Sequence, residues 1–304
     1  MSQPLPQIAE MLAAAAGQPT FPEGLSIPEL RAYCDEGVIS RLGMVRDAGP
    51  LQEVTDLVSP GGVPVRLYVP VDAAPGALHV HLHGGGWWMG SIATVDPMCR
   101  ELAVSLGTAV LSVDYRLAPE HPWPAGADDV YEVVSWVAET YPSLSIGGES
   151  AGANLSAVVA LMARDRGGPR LVAQWLDVGA FDLSLPEDES LLAYGSGYGL
   201  ELAQIGVLRE WYQADPENPY VSPARADLTG LPPTIVTTAE LDPLRDQGER
   251  FAAQLADAGV QVDYRLSRGH IHGSSWYTAI DEGTAAWYAE VVSLLAAHHA
   301  AVNA

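Results

Sequence analysis

The sequence predicts an α/β domain, a mostly parallel central sheet with helices on both faces and a small helical cap. Three observations carry that expectation. Short apolar runs alternate with helix-length segments through most of the 304 residues, which is the pattern of strand–helix–strand crossovers. Apolar residues make up 48% of the chain, enough to fill a core covered from both sides. A turn signal, Ser59-Pro60-Gly61-Gly62, lies between the first two strand-like runs and places an antiparallel hairpin at one edge.

In chain order, residues 1–45 read as helical N-terminal cap segments, interrupted by Pro19, Pro22 and Pro28. Leu51–Leu57 and Val63–Val69 form the hairpin. The runs Ala77–Leu82, Ala109–Val113, Leu144–Gly147, Val172–Val178, Thr234–Thr238 and Val260–Leu266 read as the remaining strands. Helices are expected near Asp96–Leu106, Ala127–Tyr141, Ala151–Arg166, Leu244–Ala258 and Ala279–His299. The stretch from Leu183 to Ala214 breaks the alternation with Gly195, Gly197 and Gly199, then a helix-like Glu201–Gln213. An insertion after a sheet strand is a natural lid, so 183–215 is assigned to a cap, and 46–182 with 216–304 to the core.

Composition narrows the function classes. The chain carries 38 acidic and 15 basic side chains, a formal charge of −23. Nucleic acid and anionic membrane would be repelled by such a field. No Lys is present, so every basic side chain other than His is Arg. Cys34 and Cys99 are too few and too far apart for a disulfide framework and read as reduced structural thiols. The first basic residue is Arg31 and no apolar run approaches a membrane span, so neither a secretory signal nor an anchor is expected, and the location is taken as cytoplasmic.

The chemistry lies in loops that follow strands. Gly148-Glu149-Ser150-Ala151-Gly152 matches G-x-S-x-G between a short strand and a helix. A turn this tight needs glycines on its flanks and presents the serine hydroxyl at a helix N-terminus, where backbone amides favour an anion. The bland alternative is a structural turn with an inert serine. Upstream, His83-Gly84-Gly85-Gly86 follows another strand. Bare glycine backbone at Gly84, Gly85 and Gly86 lets a substrate oxygen approach the amides, as an oxyanion hole requires. A phosphate cradle would want a Lys, which is absent. A serine nucleophile needs a base and an orienting acid after it in the chain. His270 and His272 both lie after the last strand and spacing alone leaves either as the base, whereas His298 and His299 read as solvated tail residues. Asp242, Asp246 and Glu240 compete for the acid, with a helix N-cap as the bland role of Asp242 and a surface pair with Arg245 as that of Asp246.

From Val63 to His272 the chain resembles the hormone-sensitive-lipase-like esterases, the α/β hydrolases with an HGGG loop, and is similar in its tail segment to bacterial heroin-esterase-like members. The resemblance rests on His83-Gly84-Gly85-Gly86-Trp87, Asp114-Tyr115-Arg116-Leu117-Ala118-Pro119-Glu120-His121-Pro122, the Ser150 turn, Ser222-Pro223, Leu231-Pro232-Pro233 and Asp242-Pro243-Leu244-Arg245-Asp246. It implies the α/β-hydrolase fold, Asp242 as the acid, His272 rather than His270 as the base, and amides of Gly85, Gly86 and Ala151 as the oxyanion donors. It also implies an architectural role for the Asp114–Pro122 motif. Glu149 departs from the commoner Asp or Thr beside the serine.

The activity so implied is hydrolysis of short-chain acyl or bulky-alcohol esters through an acyl-enzyme on Ser150, with no cofactor and no metal. Trp87, Trp88, Tyr198, Leu208, Trp211, Tyr212 and Ile271 are the candidate pocket residues, and cap-core packing is the bland alternative for each. An acyltransferase, lactonase or cyclase would use the same acyl-enzyme, and a ligand receptor the same fold. The expected partner is a small-molecule ester, with neither nucleic acid nor membrane, and homodimerisation stays open.

Overall fold

A computed structural model of the chain describes residues 2–17 and 21–302. Its eight strands are β1 (Leu51–Val58), β2 (Pro64–Pro70), β3 (Ala77–Leu82), β4 (Ala109–Val113), β5 (Ser143–Glu149), β6 (Ala173–Asp177), β7 (Thr234–Ala239) and β8 (Val262–Ser267). They form one sheet in the order β1-β2-β4-β3-β5-β6-β7-β8. β1 pairs antiparallel with β2, and β2 with β4, while every later pairing is parallel. The loops that follow β3, β5, β7 and β8 therefore open on one rim of the sheet, where ligands bind in open α/β folds.

β3 and β7 are buried at every position, because helices cover both faces. On one face α4 (Ala125–Ala138), α5 (Ala151–Asp165) and α8 (Arg245–Asp257) pack Val130, Leu155 and Phe251 against Leu78, Val80 and Leu82 of β3. On the other, α3 (Ile92–Leu106) and α9 (Glu282–Val302) pack Leu102, Val291 and Leu295 against Val110 and Trp175. α3 starts four residues before the expected Asp96, because Ser91 and Thr94 form a capping box there. α9 starts at Glu282 and carries His299 inward. The expectation of a solvated His299 is corrected: its ring is buried and bonded to Ser143 Oγ at 2.9 Å and Ser145 Oγ at 2.7 Å. The helix buries one face on β5, and position 299 falls on it.

The N-terminal segment forms α1 (Pro6–Ala15), α2 (Ile27–Ile39) and a 3₁₀ turn, Leu42–Met44. Pro28 lies in the first turn of α2 instead of interrupting a helix, within the capping box that Ser26 and Glu29 close. Pro22 lies between the two helices, and Pro19 lies outside the described residues. Residues 183–215 contribute α6 (Glu189–Tyr194) and α7 (Leu202–Tyr212). Arg245 and Asp246 do form an ion pair, at 2.8 Å. Their place is not simply the surface, since Asp246 also accepts the Ser190 amide at 2.8 Å and ties α6 to α8. Cys99 is buried and Cys34 half-buried, both as thiols. Among the described residues no helix is long and apolar enough to cross a membrane.

Candidate active site

Ser150 stands between β5 and α5 with φ 54° and ψ −115°. A positive φ is strained for a residue with a Cβ. Two main-chain bonds hold it: the Ser150 amide donates to Asp177 O at 2.8 Å, and the Asn154 amide to Ser150 O at 3.0 Å. Gly148 and Gly152 are dictated by packing, since a methyl at either would collide with the carbonyl of Leu82 on β3. The G-x-S-x-G spacing is thus what lets α5 leave the sheet this close to the neighbouring strand, with the hydroxyl on the rim.

The loop after β8 brings His272 to that hydroxyl. His272 Nε2 lies 2.8 Å from Ser150 Oγ, and His272 Nδ1 lies 2.9 Å from Asp242 Oδ2. The other oxygen, Asp242 Oδ1, accepts the Leu244 amide at 2.8 Å, closing a local turn, while Leu244 and not Asp242 is the N-cap of α8. The turn and the pairing with His272 share one buried carboxylate. The competitors point elsewhere. His270 is bonded to Ser274 Oγ at 3.0 Å and Thr284 Oγ1 at 3.1 Å. Glu240 accepts from Ser2 Oγ at 2.7 Å and from the Gly269 amide at 2.8 Å. Burial by itself would lower the His272 pKa, yet the carboxylate of Asp242, aided by those of Glu149 and Asp177, raises it above the ordinary imidazole value.

The loop after β3 supplies the third part. Gly85 and Gly86 have φ of 113° and 57°, and Trp87 follows at 64°, so the chain folds back in a way that glycine makes inexpensive. Trp88 and Met89 amides both donate to Gly85 O at 3.1 Å. Among the described residues, no backbone bond of the loops and turns takes its donor from Gly85, Gly86 or Ala151. Gly84 differs from its neighbours: the Glu149 side chain lies 3.1 Å from where a Cβ on Gly84 would stand. Tyr115 of the Asp114–Pro122 motif donates its hydroxyl to His83 O at 2.8 Å, and Arg116 pairs with Asp129 at 2.7 Å, which bears out an architectural role for that motif.

Two carboxyls near the serine, buried Asp177 and half-buried Glu149, carry more than sequence reasoning assigned them. Glu149 is pushed up to about 7 by burial and by Asp177. Asp177 is pushed up to about 6 by burial, although it accepts from Thr237 Oγ1, Trp276 Nε1 and Ser275 Oγ. Glu149 stood out only as an unusual neighbour of the serine. Asp177 gave no motif signal, and only the β5/β6 register, which sets Glu149 beside Asp177, discloses it.

The candidate pocket residues divide. Trp87 and Tyr212 are buried and stacked, with ring centroids 4.5 Å apart. Trp88 is buried against Phe21 and Trp211, at 5.4 and 5.0 Å. Leu208 of α7 overhangs the loop after β3, its Cδ1 2.5 Å from where a Cβ on Gly86 would stand. Ile271 is buried with Ile8 and Leu241, and Tyr194 and Tyr198 pack on that cluster. Among the described residues no group of three or more His, Cys, Asp or Glu is arranged to hold a metal ion.

Comparison with known proteins identifies the family. Residues 79–275 match a family model of the alpha/beta hydrolase fold. The chain is 39% identical over 266 residues to the carboxylic ester hydrolase LipN of Mycobacterium tuberculosis, covering 81% of this chain and 70% of that one. It is also 39% identical over 225 residues to an arylesterase of Saccharolobus solfataricus, covering 69% and 72%. Among solved structures, a hyperthermophilic esterase from Pyrobaculum calidifontis superposes with a TM-score of 0.87 at 34% identity over 99% of both chains.

Proposed function

Because this chain belongs to the α/β-hydrolase family, in its hormone-sensitive-lipase-like carboxylesterase branch, we propose that it hydrolyses carboxylic esters with Ser150 as nucleophile, His272 as general base and acid, and Asp242 as the orienting carboxylate. The observation that carries this reading is the unbroken relay of 2.8 and 2.9 Å from Ser150 through His272 to Asp242 on the sheet rim. His272 Nε2 accepts the hydroxyl proton as Ser150 Oγ bonds to the ester carbonyl carbon. Asp242 fixes the proton on Nδ1 and stabilises the imidazolium. The carbonyl oxygen, now an anion, receives the amides of Gly85, Gly86 and Ala151. His272 returns the proton to the departing alkoxide, leaving acylated Ser150. Water then repeats the sequence against the acyl group and releases the carboxylic acid.

The substrates proposed are small esters with short acyl chains or a bulky alcohol. Residues 183–215 form the cap in this reading, and the crowding of Leu208, Trp88 and Trp211 supports the limit on acyl length. The test is turnover of p-nitrophenyl esters from acetate to dodecanoate. Wild type is expected to prefer the short end, and Ser150→Ala to lose on the order of 10⁴-fold or more in kcat. His272→Ala is expected to lose far more than His270→Ala. Undiminished turnover by Ser150→Ala, or a greater loss at His270, overturns the assignment.

A further inference from the structure

The helix α2 lies outside the span 79–275 matched by the family model, yet it grips the loop that follows β3. Arg31 and Asp35 are one turn apart on α2 and so face the same way. Arg31 Nε donates to Trp88 O at 2.6 Å, and one of its terminal nitrogens donates to Ala118 O at 3.1 Å. The same guanidinium pairs with Glu120 at 2.7 Å. Asp35 Oδ1 accepts the Gly90 amide at 2.9 Å. Both contacts with the loop end on main-chain atoms, at residues 88 and 90.

Those residues form the return limb of a loop whose outgoing limb carries Gly85 and Gly86. The limbs are tied together by the two amides that Gly85 O receives. They also touch directly, since a methyl on Gly90 would collide with the His83 ring and the Gly84 carbonyl. A displacement at 88–90 therefore passes to Gly85 and Gly86. The loop His83–Gly90 contains four glycines, at 84, 85, 86 and 90. Such backbone does not hold a fixed shape by itself, whereas an oxyanion hole works only when its donors are fixed before the charge develops.

We propose that Arg31 and Asp35 are positioning residues for the oxyanion hole: α2 holds the return limb so that the amides of Gly85 and Gly86 are aimed in advance of the substrate. This rests on the reading of Gly85 and Gly86 as oxyanion donors. Neither side chain touches the reacting atoms, so the effect is on kcat and not on ester binding.

The test uses the full chain with Asp35→Ala, Asp35→Asn and Arg31→Ala. The measurements are kcat and KM for p-nitrophenyl butyrate, inactivation by a p-nitrophenyl alkylphosphonate, whose phosphoryl oxygen occupies the oxyanion position, and thermal unfolding. Asp35→Ala and Arg31→Ala are expected to lose about 10-fold or more in kcat with little change in KM, since misplacing catalytic groups by up to an ångström costs up to ~10². Phosphonate inactivation slows in step. Asp35→Asn keeps an acceptor oxygen for the Gly90 amide and recovers most of kcat. Variants that hold wild-type kcat overturn the proposal, as does a loss that Asp35→Asn fails to rescue or that only tracks the unfolded fraction. A wild type with no ester turnover removes the esterase reading and this proposal together, whereas an active wild type with unaffected variants removes only the clamp.

Discussion

Glu149 joins the two halves of the site at the scale of one residue. It follows Gly148 on β5, lies against Gly84, and stands in register with Asp177 on β6. Burial and that second carboxyl push its pKa up to about 7, so it ionises in the range where His272 must be neutral to act as base. Each negative charge near the imidazole raises the His272 pKa. Glu149→Gln removes one such charge and keeps the shape and a side-chain acceptor oxygen. The acid limb of the kcat/KM profile is therefore expected to move to lower pH, with a plateau kcat within about 3-fold of wild type. Stability shifts as well. A carboxyl whose folded pKa is raised holds its proton when the unfolded chain has released it, so its contribution to stability falls as pH rises towards the folded value near 7. Glu149→Gln should accordingly gain thermal stability relative to wild type at pH 8. A limb that stays in place, together with unchanged unfolding at pH 8, would show that Glu149 is electrically silent.

At the scale of elements, the strands were the most legible feature. Ala77–Leu82 and Ala109–Val113 agree with β3 and β4 residue for residue, because strands buried on both faces read as short, mostly apolar runs, broken here only by His79, His81 and Ser112. The serine turn and the glycine loop were legible too, since their glycines answer local collisions. The partners of those loops were not. Arg31 and Asp35 sit in a helix with no motif, and what they grip lies 55 or more residues away. Choosing His272 over His270 needed the family pattern, because both follow the same strand and only the fold turns one ring towards Ser150. α7 adds a consequence of its own. Leu208 sits over Gly86, on the wall that an acyl chain must pass in the proposed site. Leu208→Ala is expected to raise kcat/KM for octanoate relative to butyrate by about 10-fold or more, the lower end of what one methylene gains in an apolar pocket. Unchanged chain-length preference would place the acyl chain away from α7.

For the whole molecule, the central polar seam of the sheet sets its response to acid. β3 points His79 and His81 to the face opposite its leucines and valine, and α9 brings His299 to Ser143 and Ser145 on the adjoining strand. Among the described residues neither ring nitrogen of His81 has a hydrogen-bond partner. Burial, with the neighbouring His83, pulls His81 down to about 3, and burial with His298 pulls His299 down to about 4. For an imidazole held neutral by the fold, the unfolded chain binds a proton first. Stability is intact above the ordinary value of 6.5 and declines as pH falls below it, until the folded pKa is reached. Each such group costs about 1.4 kcal/mol per pH unit, so these two remove about 3 kcal/mol per unit. A domain stable by about 5–15 kcal/mol absorbs about two to five units of that. The charge of −23 acts in the opposite direction, since protonating surface carboxylates relieves repulsion. Glu149 and Asp177, with raised pKa values, gain stability as pH falls, but His79, His83 and His270 are lowered by burial as well and add to the loss. Surface charges are screened at physiological salt, whereas buried rings are not, so the histidines win. The melting temperature is expected to fall steeply between pH 6.5 and 4.5 in 0.15 M salt. His81→Leu, which removes a buried titrating ring without breaking a hydrogen bond, is expected to match wild type at pH 7.5 and to decline less steeply below 6.5. A wild-type melting temperature that is flat down to pH 5, or an unaltered slope in His81→Leu, would place the acid response at the surface instead of in the sheet.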